Sequence, residues 1–317
     1  MSDSYNGARR SKIAYERDRF RGIGAPKICI MVAMCIGTIT NPIAVGRSQS
    51  VPDRAAFDPP ILTDAQSLFY NARYEAAAAL ALALRESGTD DLAGDELRTS
   101  ALLFQLKALL EGHSNELEGH SNKLEEHSNK EDALTRCATC PDLIADFLAD
   151  IRRGQKAART TLRSSPDDET ALFFLGKLDL NYVWLQLGPL RRKTGWDEYW
   201  EARHSLDAVL THNPRHVRAR VARAWIDYIV DTRMPWGTRW VLGGGNRKRA
   251  LTDVREAAHM ESDFFTHAEA EFALWDMEVR ERNMARATEV ARRLAQDFPD
   301  NRELAAFLET GEAGQPQ

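Results

Sequence analysis

The second half of the chain is interrupted at four places where a Pro or a Ser stands beside an Asp or an Asn. The first three interruptions are 48 residues apart and the last follows after 37, since they fall at Pro166, Pro214, Ser262 and Pro299. Proline stops a helix, and Asp or Asn favours the start of the next one. Twelve residues before each interruption stands a small residue, in order Gly154, Ala202, Ala250 and Ala287. This spacing predicts a series of helical hairpins whose two helices approach closely.

The hairpin spacing resembles the tetratricopeptide repeat, a helix–turn–helix unit of about 34 residues. That repeat carries Leu-Gly on its first helix, a small residue on its second and Pro at its end. The resemblance covers roughly residues 61–309, and the residues that would define the repeats are Leu175, Gly176, Ala202, Pro214, Ala250, Ala287 and Pro299. Alternating strand patterns are nearly absent. The resemblance therefore implies an all-α, tetratricopeptide-like solenoid of about five irregular hairpins.

Two of the units are about 14 residues longer than a regular repeat, and the extra residues lie between the first and the second helix. These two long insertions span residues 188–195 and 232–246. A regular array does not need them, so they are the departure from the repeat that is most informative about function.

The N-terminal region has the composition of a secretory signal peptide. Seven basic residues and three acidic ones fall in residues 1–27, and the short apolar run Ile28–Ile36 follows. The run is shorter than the roughly 20 residues of a membrane span. We expect cleavage after Gly46, hence a signal region at 1–46, a linker at 47–60 and a periplasmic or secreted protein with no membrane span after signal removal. The alternatives are an uncleaved anchor or a start codon placed too far upstream.

The boundaries expected further along are N-terminal hairpins at 61–110, a tandem spacer at 111–132, the repeat domain at 133–309 and a disordered tail at 310–317. The spacer contains three near-identical heptads, which place His113, His120 and His127 seven residues apart. A histidine stripe could bind a transition metal. Seven residues of helix, however, separate the rings by about 10.5 Å along the axis, which is too far for shared coordination. We therefore expect a solvated spacer and no metal.

A Cys-x-x-Cys pair, Cys137 and Cys140, precedes a predicted helix. A thiol–disulfide enzyme places such a pair at a helix N-terminus, where the helix dipole stabilises the thiolate. No strand precedes the pair here, Pro141 stands where a haem attachment site needs His, and one pair cannot fill a four-ligand zinc site. A local disulfide is the favoured interpretation for an exported protein.

Aromatic and basic residues concentrate around the two insertions. All seven tryptophans lie between residues 184 and 275, and residues 187–258 carry a net charge of +6 in a chain of −5. Tryptophan and arginine commonly anchor interfaces. The candidate partner-binding residues are Trp196, Trp200, Arg233, Trp236, Arg239 and Trp240. We expect Trp184, Trp225 and Trp275 to pack in the core, whereas packing and binding are equally open for Trp236 and Trp240.

Glycines 243–245 precede a basic predicted helix, so backbone N–H groups there could hold an anion. The phosphate-loop pattern is absent, and a flexible hairpin is the favoured interpretation. No catalytic triad or metalloprotease pattern stands out.

The resemblance implies a non-enzymatic exported scaffold, without cofactor, that binds a protein or peptide of the cell envelope through its concave face and its insertions. The mild net charge does not favour nucleic acid. One alternative is a ligand-binding solenoid similar to the periplasmic T-component of some transporters, using the apolar helix Ala171–Leu187. A thiol-redox protein based on Cys137 and Cys140 is the third.

Overall fold

A computed structural model describes residues 60–86, 91–118, 134–192 and 194–313. The predicted signal region, almost all of the linker, His120 and His127 of the spacer, and the last four residues lie outside these ranges. No helix within them is long and apolar enough to cross a lipid bilayer.

The described residues form α-helices joined by turns, and no strand occurs among them. In chain order the helices are α1 (Pro60–Tyr70), α2 (Tyr74–Glu86), α3 (Asp91–Glu118), α4 (Cys140–Ser164), α5 (Glu169–Leu187), α6 (Trp196–His212), α7 (Val217–Arg233), α8 (Trp236–Arg239), α9 (Arg247–Ala258), α10 (Phe264–Arg280), α11 (Met284–Asp297) and α12 (Arg302–Ala313).

Successive long helices pack against each other as antiparallel hairpins. The pairs are α1 with α2, α3 with α4, α5 with α6, α7 with α9, and α10 with α11, while α12 packs on α11. The predicted all-α, tetratricopeptide-like hairpin array is therefore confirmed. Side-chain caps explain why helices begin where they do: Asp168, Asn246 and Asp263 each accept a hydrogen bond from the backbone N–H three residues on.

The small residues lie where two helices meet most closely. A Cβ added to Gly176 on α5 would stand 2.9 Å from Leu206 Cγ on α6. Three alanines, Ala202, Ala250 and Ala287, have no exposed surface. Leu175 is buried, and Pro214 and Pro299 stand in the turns after α6 and α11. At Gly176, packing thus leaves no room for a larger side chain.

The array turns back so that its first and last hairpins touch. Tyr70 at the end of α1 stacks on Phe272 of α10, with ring centroids 5.2 Å apart. The Asn301 side chain donates to the Tyr70 carbonyl (2.7 Å), and the Tyr74 hydroxyl donates to Glu303 (2.8 Å). These bonds join residues more than 200 positions apart, so the hairpins enclose a common centre.

Candidate binding surface

The second insertion leaves α7 at Arg233 and forms one turn of helix, α8, followed by a tight glycine turn into α9. We call the exposed side chains of its outer end, Trp236, Trp240 and Val241, the insertion tip. Their exposed fractions are 86%, 77% and 53%. Since a buried tryptophan contributes far more to stability than an exposed one, packing does not explain why tryptophan stands at both positions.

Asp231 fixes the base of the insertion from the last turn of α7. One carboxylate oxygen accepts from Arg239 Nη1 at 2.5 Å, and the other accepts from the backbone N–H of Arg247 at 3.0 Å. Arg239 also donates from Nε to the Met234 carbonyl. A single carboxylate therefore holds both arms of the insertion together. Arg239 uses its guanidinium for contacts within the insertion and its base.

Helix α6 fixes the inner end of the same insertion. The Tyr199 hydroxyl donates to the Leu242 carbonyl at 2.7 Å, and Arg203 donates to the Leu242 and Gly243 carbonyls. Leu242 is buried in the core, and burial raises the pKa of Tyr199, which keeps its hydroxyl a donor. The tip thus projects from a loop that is tethered on both sides.

The glycine run is a close-packed turn. Gly243 and Gly244 have φ values of +77° and +75°, and a Cβ on Gly245 would stand 2.5 Å from the Asp227 carbonyl oxygen. The N-terminus of α9, which sequence patterns offered as an anion site, already receives the carboxylate of Asp231. The chain itself therefore supplies the anion.

The six candidate partner-binding residues divide into two groups. Trp196, Arg233, Trp236 and Trp240 are exposed. Trp200 is half-buried against the core and stacks on His204, with centroids 5.6 Å apart, and Arg239 is tied to Asp231 as described above. We therefore use the term insertion surface for the insertion tip together with Trp196, Arg233 and Lys248, all of which are exposed. As expected, Trp184, Trp225 and Trp275 pack against the core.

A small apolar pocket lies between the two insertions. Gly195 of the first insertion and Met234 and Leu242 of the second line it, with Trp196 at the start of α6 and Val183 from α5. Its volume is about 20 Å³, which is room for a single water molecule. The pocket therefore has no space for a small solute along the apolar helix Ala171–Leu187.

The centre of the inner face, where the first helices of the hairpins face one another, is filled by an ion-pair ring. Lys177 bonds to Glu269 (2.7 Å) and lies 3.4 Å from Glu96, and Arg218 bridges the same two carboxylates at 2.5 and 3.0 Å. Burial alone would raise the pKa of Glu269, but Arg218 and Lys177 outweigh it and lower that pKa to about 2. Where we expected an open concave face, its centre holds the chain's own charges.

Cys137 and Cys140 form a disulfide at the start of α4. Both residues are buried in an apolar cluster with Phe147 and Leu106. A redox centre needs an accessible sulfur. The buried position of this pair suits a structural cross-link.

No protein-family model matches the chain, and no curated protein is similar to it. Among solved structures, it is similar to the crystal structure of a thermophilic TPR protein in Thermus thermophilus. The two share 14% sequence identity, with a TM-score of 0.42 over 80% of this chain and 97% of the other. This similarity does not assign a function to the chain.

The residues that sequence analysis missed are those that build the supports. Asp231, Tyr199 and Arg203 hold the insertion, and the ion-pair ring fills the inner face. Asp231 carried one local signal, since it stands eight residues before Arg239. The bonds by which Tyr199 and Arg203 hold the insertion, and the bonds within the ion-pair ring, join residues 39 or more positions apart, so no short-range pattern marks them.

Proposed function

We propose that this chain is a non-enzymatic, exported scaffold that binds a protein or peptide of the cell envelope through the insertion surface. One observation supports the proposal above the others: Trp236 and Trp240 are almost fully exposed on a loop whose base is fixed by Asp231, Tyr199 and Arg203. Tryptophans that fill a partner's pocket are the commonest hot spots of protein interfaces.

The rigid base favours tight binding. A loop that is already ordered loses little conformational entropy when it docks, so more of the contact free energy appears as affinity. The ion-pair ring also favours the insertion surface as the binding site, because the ring occupies the centre of the concave face that we expected a partner to use as well. The export part of the proposal rests on the sequence of residues 1–46 alone.

The test is affinity capture from a detergent extract of the source cell's envelope, with the full chain as bait. The bait is compared with Trp236→Ala/Trp240→Ala and with Met284→Ala, a control that removes an exposed apolar side chain from α11. All three must unfold at the same temperature. We expect a protein that the wild type and the control retain and that the double variant binds at least about tenfold more weakly.

Equal retention by the double variant would move the binding site away from the insertion surface. If the wild type retained no protein at all, the scaffold proposal would fail.

A further inference from the structure

We infer that the insertion tip docks on the anionic surface of a lipid bilayer, so that the scaffold meets its partner at the membrane. The partner itself rests on the proposed function, whereas the lipid contact has its own observations and its own test. These observations are the exposure of the tip, its charge and its fixed support.

The side chains of the tip are exposed, and the backbone beside them is uncovered. Trp236 opens the single helical turn α8, and Trp240 directly follows that turn in helical backbone conformation. Residues four apart in such a conformation project to the same side. A Cβ added to Gly237 or Gly244 would meet no atom within 4 Å, so the chain beside the indoles is open. A protein partner must offer a pocket to each indole. The headgroup region of a bilayer accepts an indole without a pocket, and tryptophan is enriched there.

The charge around the tip complements an anionic surface. Residues 231–249 contain five cations and the single acid Asp231. Three of the cations have acidic partners, because Arg239 bonds to Asp231 and Arg247 and Arg249 lie 3.8 and 3.7 Å from Glu281 and Asp253. Asp231 is already bonded to Arg239 and to the α9 backbone. Arg233 and Lys248 are exposed and have no ion-pair partner within the described ranges. Basic side chains next to interfacial aromatic residues are the features by which peripheral proteins hold anionic lipids.

The fixed base gives the tip one orientation. Because Asp231 joins both arms and α6 holds Leu242, the two indoles and Val241 point away from the hairpin array together. A protein partner that covers the two indoles must offer two pockets as well as acidic groups, whereas an anionic bilayer accepts both the indoles and the charges without pockets. The combination of exposed indoles and basic side chains that are unpaired among the described residues therefore favours the bilayer.

The test uses tryptophan fluorescence of the full chain with vesicles that contain brominated phosphatidylcholine, which quenches indoles in contact with it. All seven tryptophans lie between residues 184 and 275, so fluorescence quenching reports lipid contact in that region and not in residues 1–59. One set of vesicles contains phosphatidylcholine alone, and the other has about one third phosphatidylglycerol, in keeping with the role of anionic lipid.

We expect quenching with the anionic vesicles that Trp236→Ala/Trp240→Ala abolishes and Met284→Ala leaves unchanged. Arg233→Glu/Lys248→Glu should weaken vesicle affinity at least about tenfold, since it reverses two charges beside the tip. The matched control is Arg152→Glu/Lys156→Glu, which makes the same change of charge at exposed positions of α4 and should retain affinity.

The inference is overturned if anionic vesicles do not quench the wild type, or if they quench the double tryptophan variant equally. Equal binding to both kinds of vesicle would overturn its electrostatic part. If the chain captures a protein from the detergent extract but shows no lipid quenching, the lipid contact is refuted and the proposed function is retained. Lipid quenching without a captured protein does the reverse.

Discussion

Asp179 of α5 has no exposed surface and lies where α4, α5 and α6 pack together. Gln155 donates a hydrogen bond to it at 2.6 Å, and Arg159 lies 3.9 Å away. Burial, followed by the negative charge of Glu201, raises the pKa of Asp179 from 3.8 to about 9. At neutral pH this side chain is therefore protonated in the folded chain and ionised in the unfolded one.

This pKa predicts a loss of stability with rising pH. Between pH 4 and pH 9 unfolding releases the Asp179 proton, so the free energy of unfolding falls as pH rises and then levels off above pH 9. Asp179→Asn keeps the shape and cannot ionise. We expect it to raise the melting temperature at pH 8 by several degrees and to change it little at pH 4. Thermal melts of both chains across this range test the prediction, and an equal change at every pH would contradict it.

Sequence patterns could not identify this carboxyl group. Asp179 stands in the run KLDLNYVWL, where apolar neighbours predict a buried helix and leave a lone acid unexplained. Its environment comes from α4 and α6, so it depends on packing that single-helix periodicity does not encode. Gly176, only three residues earlier, was identified because its requirement for small size recurs in the repeat pattern.

At the level of the helices, packing predicts opposite outcomes for two glycines, Gly176 where α5 meets α6 and Gly94 where α3 meets α2. Gly176→Ala places a Cβ 2.9 Å from Leu206 Cγ and 3.3 Å from the Ala202 carbonyl, both in the facing helix. Gly94→Ala on α3 meets nothing nearer than 3.4 Å.

We expect Gly176→Ala to lower the free energy of unfolding by about 1–3 kcal/mol, because overpacking outweighs the gain in helix propensity. Gly94→Ala should be neutral or stabilising by up to about 1 kcal/mol, since only the propensity changes. Chemical denaturation measures both. Equal effects of the two substitutions would show that helix separation is not limiting at Gly176.

The helices themselves followed from sequence more readily than the insertions did. Helix ends carry local marks such as Asp168, Asn246 and Asp263, which are capping residues at the expected positions. The glycine turn was expected to be a flexible hairpin, yet Gly245 lies directly against the backbone of α7. Its conformation depends on a helix that ends more than ten residues earlier, and loop composition does not report such contacts.

Across the described hairpins, the contact between first and last predicts long-range coupling. In an open solenoid each repeat depends only on its neighbours. Here Tyr70→Ala removes a ring that stacks on Phe272 and lies 5.4 Å from Phe298. We expect a loss of about 3 kcal/mol and faster amide hydrogen exchange in α10–α12 as well as in α1 and α2.

Leu106→Ala is the control, because its fully buried side chain packs in a cluster that contains no described residue of α10–α12. Its effect on exchange should leave α10–α12 unchanged. If Tyr70→Ala also left α10–α12 unchanged, the contact between the two ends would not couple them. The repeat spacing does not indicate this closure, because the two hydrogen bonds that make it join residues far apart in the chain. The partners are separated by 229 positions in one bond and by 231 in the other.

Closure also limits how such a chain can vary over evolutionary time. An open solenoid can gain or lose a repeat at little cost, because an extra unit adds only one new neighbour. In this array an additional hairpin would separate Tyr70 from Phe272 and break the Lys177–Glu269 and Arg218–Glu96 bridges. New length is therefore tolerated only in the connections between paired helices. The three heptads begin in the last turns of α3 and continue into its connection to α4, and the two insertions lie in similar connections. It is there that we expect related chains to differ in length.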